Sequence, residues 1–218
     1  MRVASIPLDI FSDPVCPWCF IGKANLTRAL EQRPGHPFRI EWHPYQLHPD
    51  MPSEGMDRAE WFETRFGDRA RAVSLAASVE AAAQDAGIII DIAAATRMPN
   101  TLDAHRLIHW AGLEGRQMAV VDRLFKAYFQ DGLDISDHDV LARIGASVGM
   151  DEGVLRRLLE SEADRDDLRA RDADARDKGV SAVPTFLLDR QFVLAGAQPV
   201  DQWLAILDDI AASRDAEQ

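Results

Sequence analysis

The sequence predicts an α/β fold in which strand-forming segments near both ends of the chain flank a long helical block. Two observations near the start support this, because an apolar run at residues 7–11 and an alternating apolar and polar segment at residues 38–42 both have strand character. A third observation lies near the end, where apolar runs at residues 181–188 and 192–194 have the spacing of an antiparallel hairpin. These segments are expected to share one core.

The first elements follow in a simple order. The run at residues 7–11 predicts a short buried strand, and Ser12-Asp13-Pro14 predicts a turn after it. Residues 18–31 have loosely helical spacing, and Pro34-Gly35 ends that segment. The alternation from Phe38 to Trp42 then predicts a half-buried strand. The opening of the chain is therefore a strand, a helix and a second strand.

The middle of the chain, rich in Ala, Arg, Leu and Asp, predicts a mostly helical block because its apolar residues recur at helical spacing. Asn100 or Thr101 is placed to cap one of its helices. A last amphipathic helix is predicted beyond the final hairpin, with Pro199 near its first turn. We expect one α/β domain formed by the two ends and interrupted by an all-helical insertion. The predicted boundaries are residues 1–54 and 179–218 for the domain and residues 55–178 for the insertion.

The composition limits the classes of partner. The chain has 218 residues, a formal net charge of −12 and 47% hydrophobic residues, which is enough apolar material for a sizeable core. It has no basic stripe to neutralise phosphates, so nucleic acid and anionic membranes are not expected as partners. Without an apolar run of membrane-spanning length or a signal sequence, we expect a cytoplasmic protein. Both a monomer and a homodimer remain open.

Both cysteines of the chain lie in the tetrapeptide Cys16-Pro17-Trp18-Cys19, between the first predicted strand and the first helix. In a reducing compartment, two cysteines at this spacing indicate catalysis or metal binding more than a structural disulfide. At a helix N-terminus the first thiolate is stabilised and becomes a nucleophile. The motif therefore predicts thiol chemistry centred on Cys16.

A zinc site is an alternative use of the two thiols. His105 and His109 stand one helical turn apart and could complete a Cys2His2 set with Cys16 and Cys19. A Pro-Trp pair is unusual in a zinc knuckle, and nothing else in the sequence positions the two histidines. We expect no metal site. His43 and His48 are also left out of the catalytic set, because isolated histidines are usually surface or core residues.

Three groups of residues resemble the FrnE-type subgroup of DsbA-like oxidoreductases in the thioredoxin superfamily. They are the segment from Asp13 to Gly22 around the cysteines, Met98-Pro-Asn-Thr101 with Ala104-His105-Arg106, and Val183-Pro-Thr-Phe186 with Gly196-Ala-Gln-Pro199. The resemblance covers nearly the whole chain. It implies a thioredoxin-like fold interrupted by a helical insertion. Kappa-class glutathione transferases and 2-hydroxychromene-2-carboxylate isomerases share this plan, but commonly have serine at the position of Cys16.

The resemblance also implies roles for individual residues. Cys16 would be an exposed nucleophile and Cys19 the more buried resolving thiol, while Pro17 and Trp18 tune the redox potential. A cis Val183-Pro184 bond would face the cysteines, with the Val183 backbone pairing with an extended substrate. The remaining substrate-binding candidates are Asn100, Gly196 and Gln198. Helix capping is the structural alternative for Asn100, and the start of a strand is the alternative for Pro184.

The expected function is thiol-disulfide exchange with protein or small-molecule thiols through a Cys16 mixed disulfide that Cys19 resolves. No cofactor is expected beyond the redox-active disulfide, although glutathione could act as a cosubstrate. Trp18 lacks the charge that a histidine could add, so we expect a less oxidising couple than in periplasmic DsbA. A glutathione-dependent transferase or isomerase and a non-catalytic zinc-binding or interaction module remain alternatives. The oxidase, reductase or isomerase direction stays open.

Overall fold

A computed structural model describes residues 5–67 and 69–216, and over these residues the chain forms six strands and nine helices. The strands are β1 (Ile6–Ser12), β2 (Phe38–Pro44), β3 (Met56–Asp57), β4 (Arg97–Met98), β5 (Thr185–Leu188) and β6 (Phe192–Ala195). The helices are α1 (Pro17–Gln32), α2 (Arg58–Phe66), α3 (Arg69–Ala86), α4 (Leu102–Leu113), α5 (Gln117–Phe129), α6 (His138–Ser147), α7 (Glu152–Glu160), α8 (Arg165–Asp177) and α9 (Val200–Ala216). None of the described helices has the length and apolarity needed to cross a bilayer.

Strands from the two ends of the chain lie in one sheet with the order β2-β1-β5-β6. β1 pairs in parallel with β2, with Leu8 opposite Ile40, and antiparallel with β5, with Leu8 opposite Leu188. β5 and β6 form the predicted antiparallel hairpin. Its turn places Asp189 and Arg190 at φ angles of 50° and 57°, in the left-handed region. The predicted strands at both ends and the α/β class are therefore confirmed.

Helices α1 and α9 pack together beside this sheet. Trp203 of α9 is fully buried, and its ring meets Phe186 of β5 edge-on at a centroid distance of 4.9 Å. Phe38 of β2 contacts the same tryptophan at 6.4 Å. Burying an aromatic side chain of this size contributes about 1.5–3 kcal/mol, so the tryptophan fixes the last helix on the sheet.

The predicted helical block contains helices α2 to α8, and it also contains the two-residue strands β3 and β4, which pair with each other. The block is joined to α1 by aromatic stacking, because Phe20 lies 5.1 Å from Phe125 and 6.0 Å from Phe129 of α5. Helix α1 therefore packs on α9 on one side and on the insertion on the other. The residues on both sides belong to one continuous core.

Arg106 of α4 explains much of the packing within the insertion. Its guanidinium is completely buried and donates hydrogen bonds to four backbone carbonyls at the C-terminal end of α7 and just beyond it. It also pairs with the Asp103 carboxylate at 2.8 Å. The last carbonyls of a helix have no partners within the helix, so this arginine satisfies groups that would otherwise be buried and unpaired.

Candidate active site

The Cys-Pro-Trp-Cys segment begins helix α1. Cys16 is the N-cap residue, with extended backbone angles (φ −87°, ψ 114°) and no side-chain capping hydrogen bond, and Pro17 occupies the first helical position. Proline is well suited to that position, because its missing N–H would have no partner there. The Cys16 N–H donates to the Asp13 carbonyl at 2.9 Å, which closes the turn predicted between the strand and the helix. The sulfur of Cys16 therefore lies at the positive end of a helix.

The structure corrects one expectation for Cys16. The residue is only 4% exposed, and Cys19 is 1% exposed. Cys16 is covered because its sulfur lies 3.6 Å from the Val183 carbonyl oxygen, to which the thiol donates a hydrogen bond. Both cysteines are free thiols in this structure.

The pKa of the Cys19 thiol is shifted upward in the fold. Burial raises the pKa of the Cys19 thiol well above its ordinary value, and the neighbouring Cys16 raises it further. The Ser12 hydroxyl and the Asp13 backbone oppose this rise by hydrogen bonding to the sulfur. Cys19 accordingly keeps its proton in the dithiol form at neutral pH. Attack on an external disulfide is left to Cys16.

The loop opposite the cysteines contains the Val183-Pro184 bond, which is cis, as the resemblance implied. The Gly196 N–H donates to the Pro184 carbonyl at 2.8 Å and so ties this loop to the segment after β6. Gly22 of α1 is also important, since a Cβ there would lie 3.1 Å from the Pro184 side chain. The absence of a side chain at Gly22 lets the redox helix approach the proline loop closely.

The other predicted substrate-binding residues have structural partners. The Asn100 side-chain amide donates to the Met51 carbonyl at 2.6 Å, and its oxygen accepts from the Leu102 N–H at 2.9 Å, so it holds the turn that leads into α4, whose N-cap residue is Thr101. The Gln198 amide donates to the Ala195 carbonyl at 2.7 Å and holds its own turn. None of Asn100, Gly196 and Gln198 lines the pocket beside Trp18. Their substrate contacts stay predictions.

A buried pair that sequence reasoning did not assign to the site lies behind the redox turn. Asp13 is 1% exposed, and its two carboxylate oxygens accept the Leu47 N–H at 2.7 Å and the Val15 N–H at 3.4 Å. Burial raises the pKa of this carboxyl to about 7 from an ordinary 3.8. The local sequence did not signal this burial, because Ser12-Asp13-Pro14 has the composition of a turn, where an aspartate usually faces solvent.

Its neighbour is His105 of α4, which is 2% exposed. The His105 Nε2 atom lies 3.9 Å from the Asp13 Oδ1 atom and has no hydrogen-bond partner among the described residues. Burial lowers the pKa of the imidazole to about 3. The protonated acid and the neutral imidazole are thus the forms that the fold prefers near pH 6.

An apolar pocket of about 190 Å³ opens beside Pro17 and Trp18. The motif provides one wall of this pocket, and helices α2 and α3 of the insertion provide the opposite wall through residues that include Trp61, Phe62 and Val79. No local sequence signal marks it, because its walls come from distant segments. A larger cavity of about 500 Å³ lies between β2, α4 and α8, but no residue of the Cys-Pro-Trp-Cys motif lines it. The smaller pocket is therefore the one that adjoins the redox motif, through Pro17 and Trp18.

One group of potential metal ligands occurs within residues 5–67 and 69–216. Asp9, Glu41 and His43 bring one ligand atom each within 4.8 Å of one another on the strands β1 and β2. The group contains neither cysteine, and the His43 Nε2 atom is hydrogen-bonded to Asp9 at 2.9 Å. The alternative zinc set is not assembled around the thiols, since His105 faces Asp13 instead.

A Cys-x-x-Cys pair at a helix N-terminus, packed against a cis-proline loop on the same sheet, defines a thioredoxin-like protein. Residues 7–208 match the model of the DSBA-like thioredoxin domain, and the chain belongs to that family. The neighbours described next are consistent with the FrnE-type subgroup indicated by the sequence.

Three solved structures illustrate the likeness. The probable DsbA oxidoreductase SCO1869 from Streptomyces coelicolor has 28% sequence identity and a TM-score of 0.81, with 94% of this chain and 89% of that chain covered. 2-Hydroxychromene-2-carboxylate isomerase has 18% identity and a TM-score of 0.73, with coverage of 97% and 99%. The cytosolic disulfide reductase DsbM from Pseudomonas aeruginosa, solved with glutathione, has 23% identity and a TM-score of 0.68, with coverage of 94% and 99%. The last two likenesses concern the fold.

Proposed function

We propose that the protein is a cytoplasmic thiol-disulfide oxidoreductase that exchanges disulfides with protein or small-molecule thiols. The observation that carries this proposal is the placement of two free thiols, one at the helix N-terminus against the proline loop and the other one turn further along the helix. Cys16 caps the helix and touches the Val183 carbonyl, whereas Cys19 lies one turn further on and is 1% exposed. This arrangement suits a nucleophile backed by a resolving thiol.

The reaction follows from these positions. The Cys16 thiolate attacks one sulfur of a substrate disulfide, forms a mixed disulfide and releases the other substrate half as a thiolate. Cys19 then gives up its proton and attacks the Cys16 sulfur. The Cys16–Cys19 disulfide forms, and the second substrate half leaves as a thiolate. Two equivalents of an external thiol, with glutathione as one candidate cosubstrate, then return the pair to the dithiol form and are themselves joined in a disulfide.

The substrate backbone is held by the proline loop in this proposal. In the free protein, the Val183 carbonyl accepts the Cys16 thiol hydrogen bond. Once Cys16 is in a mixed disulfide it has no proton to donate, so this carbonyl becomes free for a substrate N–H. A short stretch of strand addition would then align the substrate sulfur with Cys16.

We infer the reducing direction from two considerations. The fold is shared with a protein named as a cytosolic disulfide reductase. Trp18 occupies the position before Cys19 and adds no positive charge to stabilise the dithiol as its thiolate form. A redox titration of the Cys16 and Cys19 pair against glutathione tests this direction, and a potential close to that of DsbA, about −120 mV, would contradict it.

Trapping of the mixed disulfide tests the proposal as a whole. In Cys19→Ala, the intermediate on Cys16 cannot be resolved from within the protein, so disulfide-linked partners should accumulate and disappear on reduction. Cys16→Ala is the matched control and should trap none. The glutathione-dependent transferase or isomerase alternative predicts a different result, in which Cys19→Ala traps only glutathione and keeps full transfer activity.

A further inference from the structure

Two carboxylates and one imidazole meet on the sheet, in a cluster that contains neither cysteine. Asp9 of β1 is directly opposite Glu41 of β2, and Phe11 is opposite His43. Successive side chains of a strand point to opposite faces, so Asp9, Glu41 and His43 lie on one face of the sheet. One potential ligand atom from each of the three lies within 4.8 Å of the other two.

Two members of the cluster already have nearly the spacing of ligands on one metal ion. The His43 Nε2 atom is 2.9 Å from the Asp9 Oδ1 atom. Two ligands with bonds of about 2.0–2.2 Å to the same Zn²⁺ ion lie about 3–3.5 Å apart. The Phe11 ring stacks on the imidazole at a centroid distance of 5.2 Å and keeps it in this orientation. Closing the site around an ion therefore requires only a movement of the Glu41 side chain, which is 46% exposed.

The Asp9 carboxylate is short of positive charge. Its side chain is 13% exposed, and among residues 5–67 and 69–216 its only ion-pair partner is His43. A half-buried carboxylate is costly unless it is paired, and an imidazole is a weaker partner than a full cation. Asp103 has the same exposure, and it has three ion-pair partners: Arg106, His138 and Arg165. A cation beside Asp9 would supply the charge that two arginines supply to Asp103.

The third carboxylate is held only weakly by its present partner. Glu41 lies 3.5 Å from the Arg39 guanidinium, and both side chains are about half exposed. Exposed ion pairs of this kind contribute little to stability, so Glu41 can exchange this partner for a divalent ion. The formal net charge of −12 also favours the approach of cations over anions.

We propose that Asp9, Glu41 and His43 form a Zn²⁺ site that links β1 to β2. Imidazole nitrogen and carboxylate oxygen are both ordinary ligands of Zn²⁺, and three protein ligands leave a fourth position for water. Mg²⁺ and Ca²⁺ prefer oxygen ligands alone, so the imidazole selects against them. The ion replaces the proton that joins Nε2 to Oδ1, and this proton passes to solvent.

The site departs from the sequence-based expectation of no metal. Its three ligands are brought together only by the pairing of β1 with β2, which no local pattern reveals. Because the folded sheet holds the ligands together and the unfolded chain does not, bound Zn²⁺ stabilises the fold. The site is independent of the thiol chemistry, since it uses neither Cys16 nor Cys19.

The experiment is a calorimetric titration of Zn²⁺ into the full chain that carries Cys16→Ser and Cys19→Ser, because free thiols also bind zinc. One ion should bind per chain, and the unfolding temperature should rise with the Zn²⁺ concentration. If this protein bound no Zn²⁺, the site would be refuted, whether or not the wild type exchanges disulfides. Failure of the wild type to exchange disulfides would instead refute the proposed function and leave the zinc site standing.

Three variants in the thiol-free protein identify the ligands. Asp9→Asn, Glu41→Gln and His43→Gln should each weaken Zn²⁺ binding by at least about tenfold, because even the loss of a residue that only orients a ligand costs about 10- to 100-fold. His138→Gln is the matched control, since His138 also pairs with an aspartate at 2.9 Å, and it should keep the affinity. Unchanged affinity in the three ligand variants, or an equal loss in His138→Gln, would overturn the site.

Arg39→Gln tests the position of the third ligand in the opposite direction. It removes the cation that competes for Glu41, so Zn²⁺ should bind severalfold more tightly. Both Arg39 and Glu41 are about half exposed, so the fold tolerates a glutamine at either position. If neither Glu41→Gln nor Arg39→Gln changed the affinity, Glu41 would not be a ligand and the three-residue site would be wrong.

Discussion

Asp13 and His105 should make opposite contributions to the pH dependence of stability. The pKa of Asp13 is about 7 in the fold against an ordinary 3.8, so between these values the folded protein holds a proton that the unfolded chain has lost. Its contribution to stability therefore falls as the pH rises through this range. The pKa of His105 is about 3 against an ordinary 6.5, so here the unfolded chain holds the extra proton. Its contribution falls as the pH drops below 6.5.

Each contribution has a slope of about 1.4 kcal/mol per pH unit, and the full ranges correspond to about 4 kcal/mol for Asp13 and about 5 kcal/mol for His105. The two slopes oppose each other between pH 3.8 and 6.5. In the wild-type protein they cancel there, because folding moves a proton from the histidine to the acid without net uptake. Between these pH values, the contribution of either group to the pH dependence of the free energy of unfolding can be measured only when the other group is replaced.

Urea unfolding from pH 4.5 to 8 of the wild type, Asp13→Asn, His105→Gln and the double variant measures both slopes. The asparagine oxygen can still accept the Leu47 N–H, and its NH₂ group can donate towards the His105 Nε2 atom, for which the described part of the chain offers no hydrogen-bond partner. Relative to the wild type, Asp13→Asn should lose about 1.4 kcal/mol per pH unit as the pH falls from 6.5 towards 4.5. His105→Gln should lose a similar amount per unit relative to the wild type as the pH rises from 4.5 to 6.5.

The double variant should again run parallel to the wild type, since it lacks both groups. Differences between variants remove the contributions of all other titrating residues, provided that unfolding is two-state. If both single variants ran parallel to the wild type, the pair would not hold its proton on Asp13, and the assignment of a neutral imidazole facing a protonated acid would be wrong.

Three further changes test the packing around the site. Gly22→Ala would place a methyl group 3.1 Å from the Pro184 side chain. The free energy of unfolding in urea should therefore fall by about 1–3 kcal/mol, and single-turnover disulfide exchange should slow. An unchanged exchange rate would contradict the close approach of α1 to the proline loop. Arg106→Met should lower the free energy of unfolding by about 3 kcal/mol in the same assay, because the buried backbone carbonyls at the end of α7 lose their hydrogen-bond donor. A decrease below about 1 kcal/mol would refute the role of Arg106 in satisfying these carbonyls. Gln117→Leu removes both hydrogen bonds between the Gln117 side chain and the Trp42 backbone. The hydrogen of the Trp42 backbone amide should therefore exchange with solvent faster than in the wild type. Unchanged protection would argue against this contact at the β2 edge of the sheet.

The parts of the site that could be predicted are those encoded by consecutive residues. The strand, the turn and the Pro17 helix start lie within a dozen positions, so the place of Cys16 at the helix N-terminus followed from local rules. That both ends of the chain contribute strands to one domain could also be predicted, because strand character is strong at both ends; the order of the strands was not predicted. The burial of Cys16 was not, since it depends on the Val183 loop, which lies 167 positions away.

The missed features arise from contacts between distant segments. Asp13 and His105 meet only because α4 packs behind the redox turn, and neither residue shows this in its own neighbourhood of the sequence. The two-residue strands β3 and β4 are too short to leave a periodic pattern. Asn100 was correctly placed at a helix start, but its second contact, with the Met51 carbonyl, comes from a loop that has no regular pattern.

The way in which α1 is packed bears on how the insertion acts. Phe20 stacks on Phe125 and Phe129, and Lys23, which is 9% exposed, forms an ion pair with Asp122 of the same helix α5. Removal of Asp122 would leave the nearly buried Lys23 ammonium without its carboxylate, which is costly, so the contact resists separation. The helix that carries Cys16 is thus held against the insertion by both apolar and ionic contacts. Because the same helix begins with Pro17 and Trp18, the insertion helps to hold the redox motif in one position, as a preorganised site requires.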